Sequence, residues 1–322
     1  MFIPFLSSRK APSSEKKLYR RKGGGGGGRG GGGGRSSGGK SGSKGGSKSG
    51  STGGSKGSSS SFTRTKPTKI GGSSRSTSSY GRGGGAATVI PAGSLFAGRS
   101  VGGGTRDHIY GTRVYGSGYP GLSGRGVAGR GFPFYFWPVV WGGAVGGTAG
   151  YLYASSEYGL ADNSSRPGGA LYTASLTSNS TSNSQTTLRI LADNSTIADL
   201  LTDITRNCSM YLTPGQTTNT SGVPFNMSAP APKPEQVIQY YRASSVSLTL
   251  DGYNNSAVFS NDESTRDSDF PSGVDLNMIN CVNQTIGAGV PLIDAGVGRF
   301  GSVSGLHLVG MVWLVWVLGR VA

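Results

Sequence analysis

Residues 187–208 read Thr-Leu-Arg-Ile-Leu-Ala-Asp-Asn-Ser-Thr-Ile-Ala-Asp-Leu-Leu-Thr-Asp-Ile-Thr-Arg-Asn-Cys. Thr187–Leu191 is a short β run. Ile197, Leu200, Leu201 and Ile204 follow at i, i+3, i+4 and i+7, which places them on one face of a helix. Thr196 with Asp199 supplies the hydroxyl-x-x-carboxylate spacing of a capping box, and Cys208 sits just past the helix end. A strand running into an amphipathic helix that ends on a cysteine is the seed of a packed body.

Working downstream, "APAPKP" (229–234) is an extended linker. Pro234 with Glu235 beside it predicts a second helix opening there and running through Tyr241. Val246–Leu250 alternates as a strand. Leu276, Ile279, Val282 and Ile286 predict a third helix that carries Cys281. The result is a small α+β domain over 186–292 with a thin core. Two cysteines, both inside it, predict one disulfide, Cys208–Cys281. Closing a loop of that length contributes on the order of 4 kcal/mol in the chain-entropy model. No Cys-x-x-Cys or His-rich spacing supports a zinc site. Just upstream, residues 155–185 form a Ser/Thr-rich stalk, with "TASLTSNSTSNSQTT" (173–187) suited to O-glycosylation.

Working upstream, the composition changes. Of 59 glycines, 44 lie in residues 1–150, where 23 Lys/Arg face 2 acidic residues, a charge of +21. Residues 151–322 hold 8 against 13, a charge of −5, and the two halves sum to the chain's +16. The net charge therefore describes a cationic arm on a mildly acidic body, not one surface. Residues 23–105 predict a disordered Gly/Ser/Lys-rich arm, since they hold too little apolar surface to offset the entropy of ordering. The fold class expected is thus a mostly disordered Gly-rich N-terminal half with a disulfide-linked α+β domain in the C-terminal half. Arg29-Gly30-Gly31 and Tyr80-Gly81-Arg82-Gly83-Gly84 have the form of RGG boxes, which bind nucleic acid by charge and stacking.

Between arm and stalk, residues 106–154 form a Gly/Tyr/Arg-rich and then aromatic segment. Its first part predicts turns or short extended pieces. Phe132–Ala154 carries no charge over 23 residues, enough to span a bilayer. Pro133, Pro138 and five glycines argue against a helix there, and favour an aromatic patch that docks on the body, a membrane surface or another copy.

All 13 asparagines follow residue 162, and eight open an Asn-x-Ser/Thr sequon: Asn163, Asn179, Asn194, Asn207, Asn219, Asn226, Asn254 and Asn283. Composition alone gives roughly three. The excess predicts a glycosylated segment that passes through the secretory pathway.

Catalytic chemistry has no visible foothold. The two histidines, His108 and His307, lack a Cys or Ser nucleophile with an acid partner. The acidic loop 261–269 (Asp262, Glu263, Asp267, Asp269) fails the EF-hand spacing and reads as solvated. No Gly-rich phosphate loop follows a strand. The chain is expected to be non-enzymatic, with no cofactor, no metal and no small-molecule substrate.

The two ends read as addresses. Leu306–Leu318 is uncharged with His307 neutral, and its 13 residues are short for a span. Asp294-Ala295-Gly296, the spacer Val297–Gly305 and this apolar run have the order of a glycolipid-anchor (GPI) signal over 293–322, with Asp294, Ala295 and Gly296 as attachment candidates. At the other end, in residues 1–22, Phe2–Leu6 with Ser7-Ser8 has the form of the end of a signal peptide, which predicts a fuller signal upstream of Met1.

Arg106–Tyr110, Gly118–Gly121, "GRGFPFYFWPVVWGG" (129–143), "KPEQVIQYYRASSVSLTLDGYNN" (233–255) and "NCVNQTIGAGVPLID" (280–294) together resemble a family of fungal proteins with a Gly-rich N-terminal half. The resemblance covers about half the chain and implies a secreted or surface-bound protein. It carries no activity and no catalytic residues. The expected role is a cell-surface or cell-wall structural or interaction protein, with anionic cell-wall polymers or a membrane surface as partners. An intracellular nucleic-acid binder of RGG type and an integral membrane protein are the alternatives.

Overall fold

A computed structural model of the chain describes residues 63–295, apart from 71–72, 123, 143–148, 154, 181–185, 216–220, 261 and 263. The expectations for 1–62, for 296–322, for Asn219 and for Gly296 lie outside the described residues. In chain order the elements are β1 (Thr65–Ile70), β2 (Ser73–Ser78), β3 (Thr88–Val89), β4 (Ser100–Val101), α1 (Ser155–Tyr158), β5 (Leu171–Thr177), β6 (Thr187–Asp193), α2 (Asn194–Cys208), β7 (Val223–Pro224), β8 (Val237–Tyr241), β9 (Val246–Leu250), α3 (Leu276–Gly289) and β10 (Leu292–Ile293).

The strand and helix read from 187–208 organise the body. β6 lies at the centre of a five-stranded antiparallel sheet in the order β7-β5-β6-β9-β8. α2 starts on a different cap from the one expected. Asp193 is the N-cap, its carboxylate accepting from the Thr196 backbone N–H at 2.9 Å and from the Thr196 hydroxyl at 2.7 Å. Asp199 is not part of a capping box; it is paired with Lys66 and Arg64.

Alternate residues of a strand face opposite sides, and here both sides are covered. Val246, Leu248 and Leu250 of β9, beside Leu188 and Ile190 of β6, form one face. The next strand turns Tyr241 to that face, and its hydroxyl donates to Asn283 Oδ1 of α3 at 2.5 Å. The face is therefore the one under α2 and α3, whose buried residues Ile197, Leu200, Ile204, Ile279, Val282 and Ile286 each have about 1.5–3 kcal/mol of transfer free energy to contribute. The disulfide Cys208–Cys281 ties these two helices, with Cα atoms 5.9 Å apart.

On the opposite face Tyr240 meets a layer without regular structure. Its hydroxyl accepts from Trp141 Nε1 at 3.1 Å, and its ring packs edge-on against Tyr115 at 5.6 Å. Phe134, Val139, Val140 and Trp141 are all buried in this layer. The aromatic segment thus docks on the body. No helix among the described residues is long and apolar enough to cross a membrane. Upstream of it Ile109–Thr112 runs along β8 as a short extended piece, with Gly111 N–H bonded to Tyr240 O and Tyr240 N–H to Thr112 O, both at 2.9 Å.

Three expectations are corrected. Residues 234–241 are not a helix. Pro234–Gln236 is one 3-10 turn, and Val237–Tyr241 is β8, buried at every position. Successive buried β-branched and aromatic residues fit a strand covered on both faces, not a 3.6-residue period. Residues 155–185 are not a stalk either: Leu171–Thr177 pairs along its whole length with β6.

The third correction concerns the arm, which does not extend to residue 105. β1 and β2 form a hairpin whose outer partner is β10, more than two hundred residues later. Arg64 fastens it to α2, donating to both Asp203 carboxylate oxygens at 2.8 Å and to Asp199 O at 2.9 Å. β3 and β4 form a second short hairpin.

Candidate functional site

The Gly/Tyr/Arg stretch folds around a guanidinium. Arg130 donates to Gly116 O at 2.7 Å and to Gly124 O at 3.2 Å, and lies over the Tyr119 ring at 5.2 Å. The loop closes further through Gly126 N–H to Tyr115 O at 2.8 Å and Gly116 N–H to Ser244 Oγ at 3.0 Å. Gly116 has φ +92°, and a Cβ there would collide with the Gly126 carbonyl oxygen, so the two turns can touch only without a side chain.

The outer side of this loop encloses an open cleft of about 240 Å³, lined among others by Thr112, Ser117, Gly118, Leu122 and Arg125. Thr112 and Ser117 hydroxyls are turned into the loop, where they accept from Val114 N–H (3.1 Å) and Thr112 N–H (2.8 Å). Arg125 spans to Asp262 O at 3.4 Å, and its buried Nε has no hydrogen-bond partner. The cleft could hold a small anion or hydroxylated group. None of the described residues that line it is an Asp, Glu, His or Cys. His108 stands elsewhere, exposed and bonded to Thr105. Asp267 of the acidic loop accepts from Asn255 Nδ2 at 2.7 Å, and Asp262 holds its own turn through Ser264. Among the described residues no group of three or more His, Cys, Asp or Glu could hold a metal.

Two arginines that the sequence reading did not single out, Arg242 and Arg166, sit inside the protein, and a third, Arg106, is half-buried. Arg242 is fully buried with φ +50°, in a turn that continues through Ala243 (+49°) and Ser244 (+61°). It donates to Asp193 (2.6 Å), Thr196 (3.1 Å), Pro291 O (3.0 Å) and Ser245 (2.7 Å), and covers the Phe136 ring at 3.5 Å. Burial lowers its pKa, and Asp193 opposes that shift. Arg166 donates to the carbonyls of Tyr158, Trp137 and Pro138. Arg106 holds the last turn of α3 by donating to Gly287 O and Val290 O, and reaches Gly81 O. Burial brings both of these to about 10, so they stay charged at neutral pH. The clue for Arg242 is its place as the only charged residue between 236 and 250.

The sequon asparagines are spread over element ends and loops. Asn179, Asn194, Asn207, Asn226 and Asn254 are exposed and Asn163 is half-buried. Asn283 departs from the expectation. It is 1% exposed on the inner face of α3 and accepts from Tyr241, so a glycan there cannot coexist with this packing. Asp294 follows β10 directly, its carboxylate accepting from Ser76 (3.0 Å) and Ser78 (2.7 Å). Ala295 N–H bonds Gly83 O at 3.2 Å. Tyr80-Gly81-Arg82, read as part of an RGG box, belongs to a folded turn.

No protein-family model, curated protein or solved structure matches the chain.

Proposed function

We propose that this is a non-enzymatic cell-surface or cell-wall protein, N-glycosylated in the secretory pathway and held to the membrane by a glycolipid attached at Asp294, Ala295 or Gly296. One observation carries most of the weight. Six of the seven described sequon asparagines reach the surface, and they lie on loops and element ends around the body. An internal disulfide fits an oxidising compartment. Attachment at any of the three candidates would place the lipid immediately after β10. The six Lys/Arg of residues 23–62, with no acidic residue among them, suit anionic cell-wall polymers or a membrane surface.

The test is expression from the gene, the sequence upstream of Met1 included, in a host with a secretory pathway. Removal of N-glycans should lower the mass by several glycans, with the Asn283 peptide unmodified, and phospholipase C should release the protein from membranes. An unchanged mass together with nuclear location would overturn the proposal and favour a nucleic-acid binder.

A further inference from the structure

Between Gly83 and Gly98 the chain has 16 residues without a charge. They lead into β3 and form the loop that joins it to β4, and they project outward. Every residue from Ala86 to Gly98 is exposed except Ile90 and Phe96. Those two point inward. Phe96 packs on Phe132 at 5.0 Å and Trp137 at 4.8 Å, and both join a small second core with Val101, Tyr135, Phe136 and Ile293. Ile90 N–H bonds Arg99 O, and Gly98 N–H bonds Ile90 O, each at 2.9 Å. The hairpin is therefore fastened at its base and presents Val89 (66% exposed) and Leu95 (59%) with Pro91 and four alanines to the outside.

We infer that this hairpin seats in the interfacial region of a lipid bilayer. The argument is one of place. Gly84 bridges Asp294, and Gly83 O accepts from Ala295, so the chain passes the hairpin's base where it leaves for residues 296–322. A lipid on Asp294–Gly296 would lie beside the hairpin. Charge agrees with place. Of the seven Lys/Arg in residues 63–106, Arg64, Lys66 and Arg99 are paired with carboxylates and Arg106 holds the end of α3, which leaves Lys69, Arg75 and Arg82, with no acidic partner among the described residues, to face anionic headgroups. A protein partner fits less well. Two large apolar side chains on a convex loop fall far below the roughly 1,600 Å² of a stable protein interface.

The inference rests on the membrane-anchored reading for the nearness of lipid, and a positional probe separates the two. The full chain is prepared as Leu95→Cys or Val223→Cys with the native disulfide intact, and the single thiol is labelled with an environment-sensitive fluorophore. Val223, 57% exposed on the edge strand β7, is the control. Phosphatidylcholine–phosphatidylserine vesicles should blue-shift the Leu95 probe, nitroxide lipids should quench it, and the Val223 probe should not respond. Adding Val89→Asp should weaken partitioning at least fivefold. If the chain sediments with vesicles but the Leu95 probe behaves as the Val223 probe does, the hairpin is not in lipid, while anchoring, judged by phospholipase release, stands. A chain that ignores vesicles overturns the inference too. So does a Leu95 shift that grows with protein concentration without vesicles, which would assign the hairpin to a second copy.

Discussion

The two layers that cover the five-stranded sheet do the same work by different chemistry. Under α2 and α3, side chains at helical spacing meet Leu188, Ile190 and Leu248, and the backbone satisfies itself within each helix. On the other face, the described residues of 109–153 bury Tyr115, Trp141, Val139 and Leu152 from segments with almost no regular structure. Its carbonyls need donors, and arginines supply them. Arg166 takes those of Trp137, Pro138 and Tyr158, and Arg130 those of Gly116 and Gly124. A coil can be packed like a helix when buried guanidinium groups replace the hydrogen-bond ladder.

Arg242 belongs to both layers, so its loss should do the most damage. It joins Asp193, the cap of α2, to the coil layer, where its backbone N–H bonds Ile109 O at 2.8 Å, and its guanidinium covers Phe136. Arg242→Met would leave the Asp193 carboxylate buried (4% exposed) without its cation, a defect that costs about 3–5 kcal/mol. Urea denaturation should show that loss, and Asp193→Asn added to Arg242→Met should recover part of it. Full stability in the single variant would mean that Asp193 finds water or another donor, and that the two layers are not joined here.

The disulfide belongs to the helical layer alone. Replacing Cys208 and Cys281 by Ser should cost about 2–4 kcal/mol, since the bridge spans 73 residues. Hydrogen exchange should then speed up in α2 and α3 before it does in Val139–Trp141. Equal acceleration in both layers would show that they unfold as one unit.

The same division explains what the sequence let one read. The spacing Ile197–Ile204 and Leu276–Ile286, the strand Val246–Leu250 and the cysteine pair were legible because each rests on a local period or a count. The hairpin "TKPTKI"/"SSRSTS" was not. It has no apolar alternation, and it is held by Asp203 and by β10, far away in the chain. Residues 234–241 read as a helix although Val237–Tyr241 is β8, because Pro234 signals a helix start as readily as a single 3-10 turn. Of the candidate sites, sequon positions are readable by motif, but the burial of Asn283 depends on which face of α3 packs inward. The Gly116–Gly124 cleft depends on Arg130 and on contacts across the loop that no periodicity announces.

The smallest effect expected is the most diagnostic of the two layers at high pH. Tyr115 donates to Val139 O at 2.5 Å in the coil layer, and Tyr241 donates to Asn283 under the helices. Burial raises both hydroxyls well above the usual value of 10. Near neutral pH, Tyr115→Phe and Tyr241→Phe should each cost about 1–3 kcal/mol, since each leaves a buried acceptor without its donor. Above about pH 10 the unfolded chain gives up these protons while the folded chain keeps them, so stability present below that pH falls as pH rises, by up to about 1.4 kcal/mol per unit for each tyrosine. Each Phe variant should therefore lose less stability than the parent between pH 9 and 11, and the buried arginines, common to all three chains, cancel in the comparison. Absorbance near 295 nm then distinguishes the layers. If the coil layer opens locally while the helices hold, the absorbance change removed by Tyr115→Phe will fall at lower pH than the change removed by Tyr241→Phe. If both changes fall together at the global alkaline transition, the arginine-bonded coil is as firmly closed as the helices opposite it.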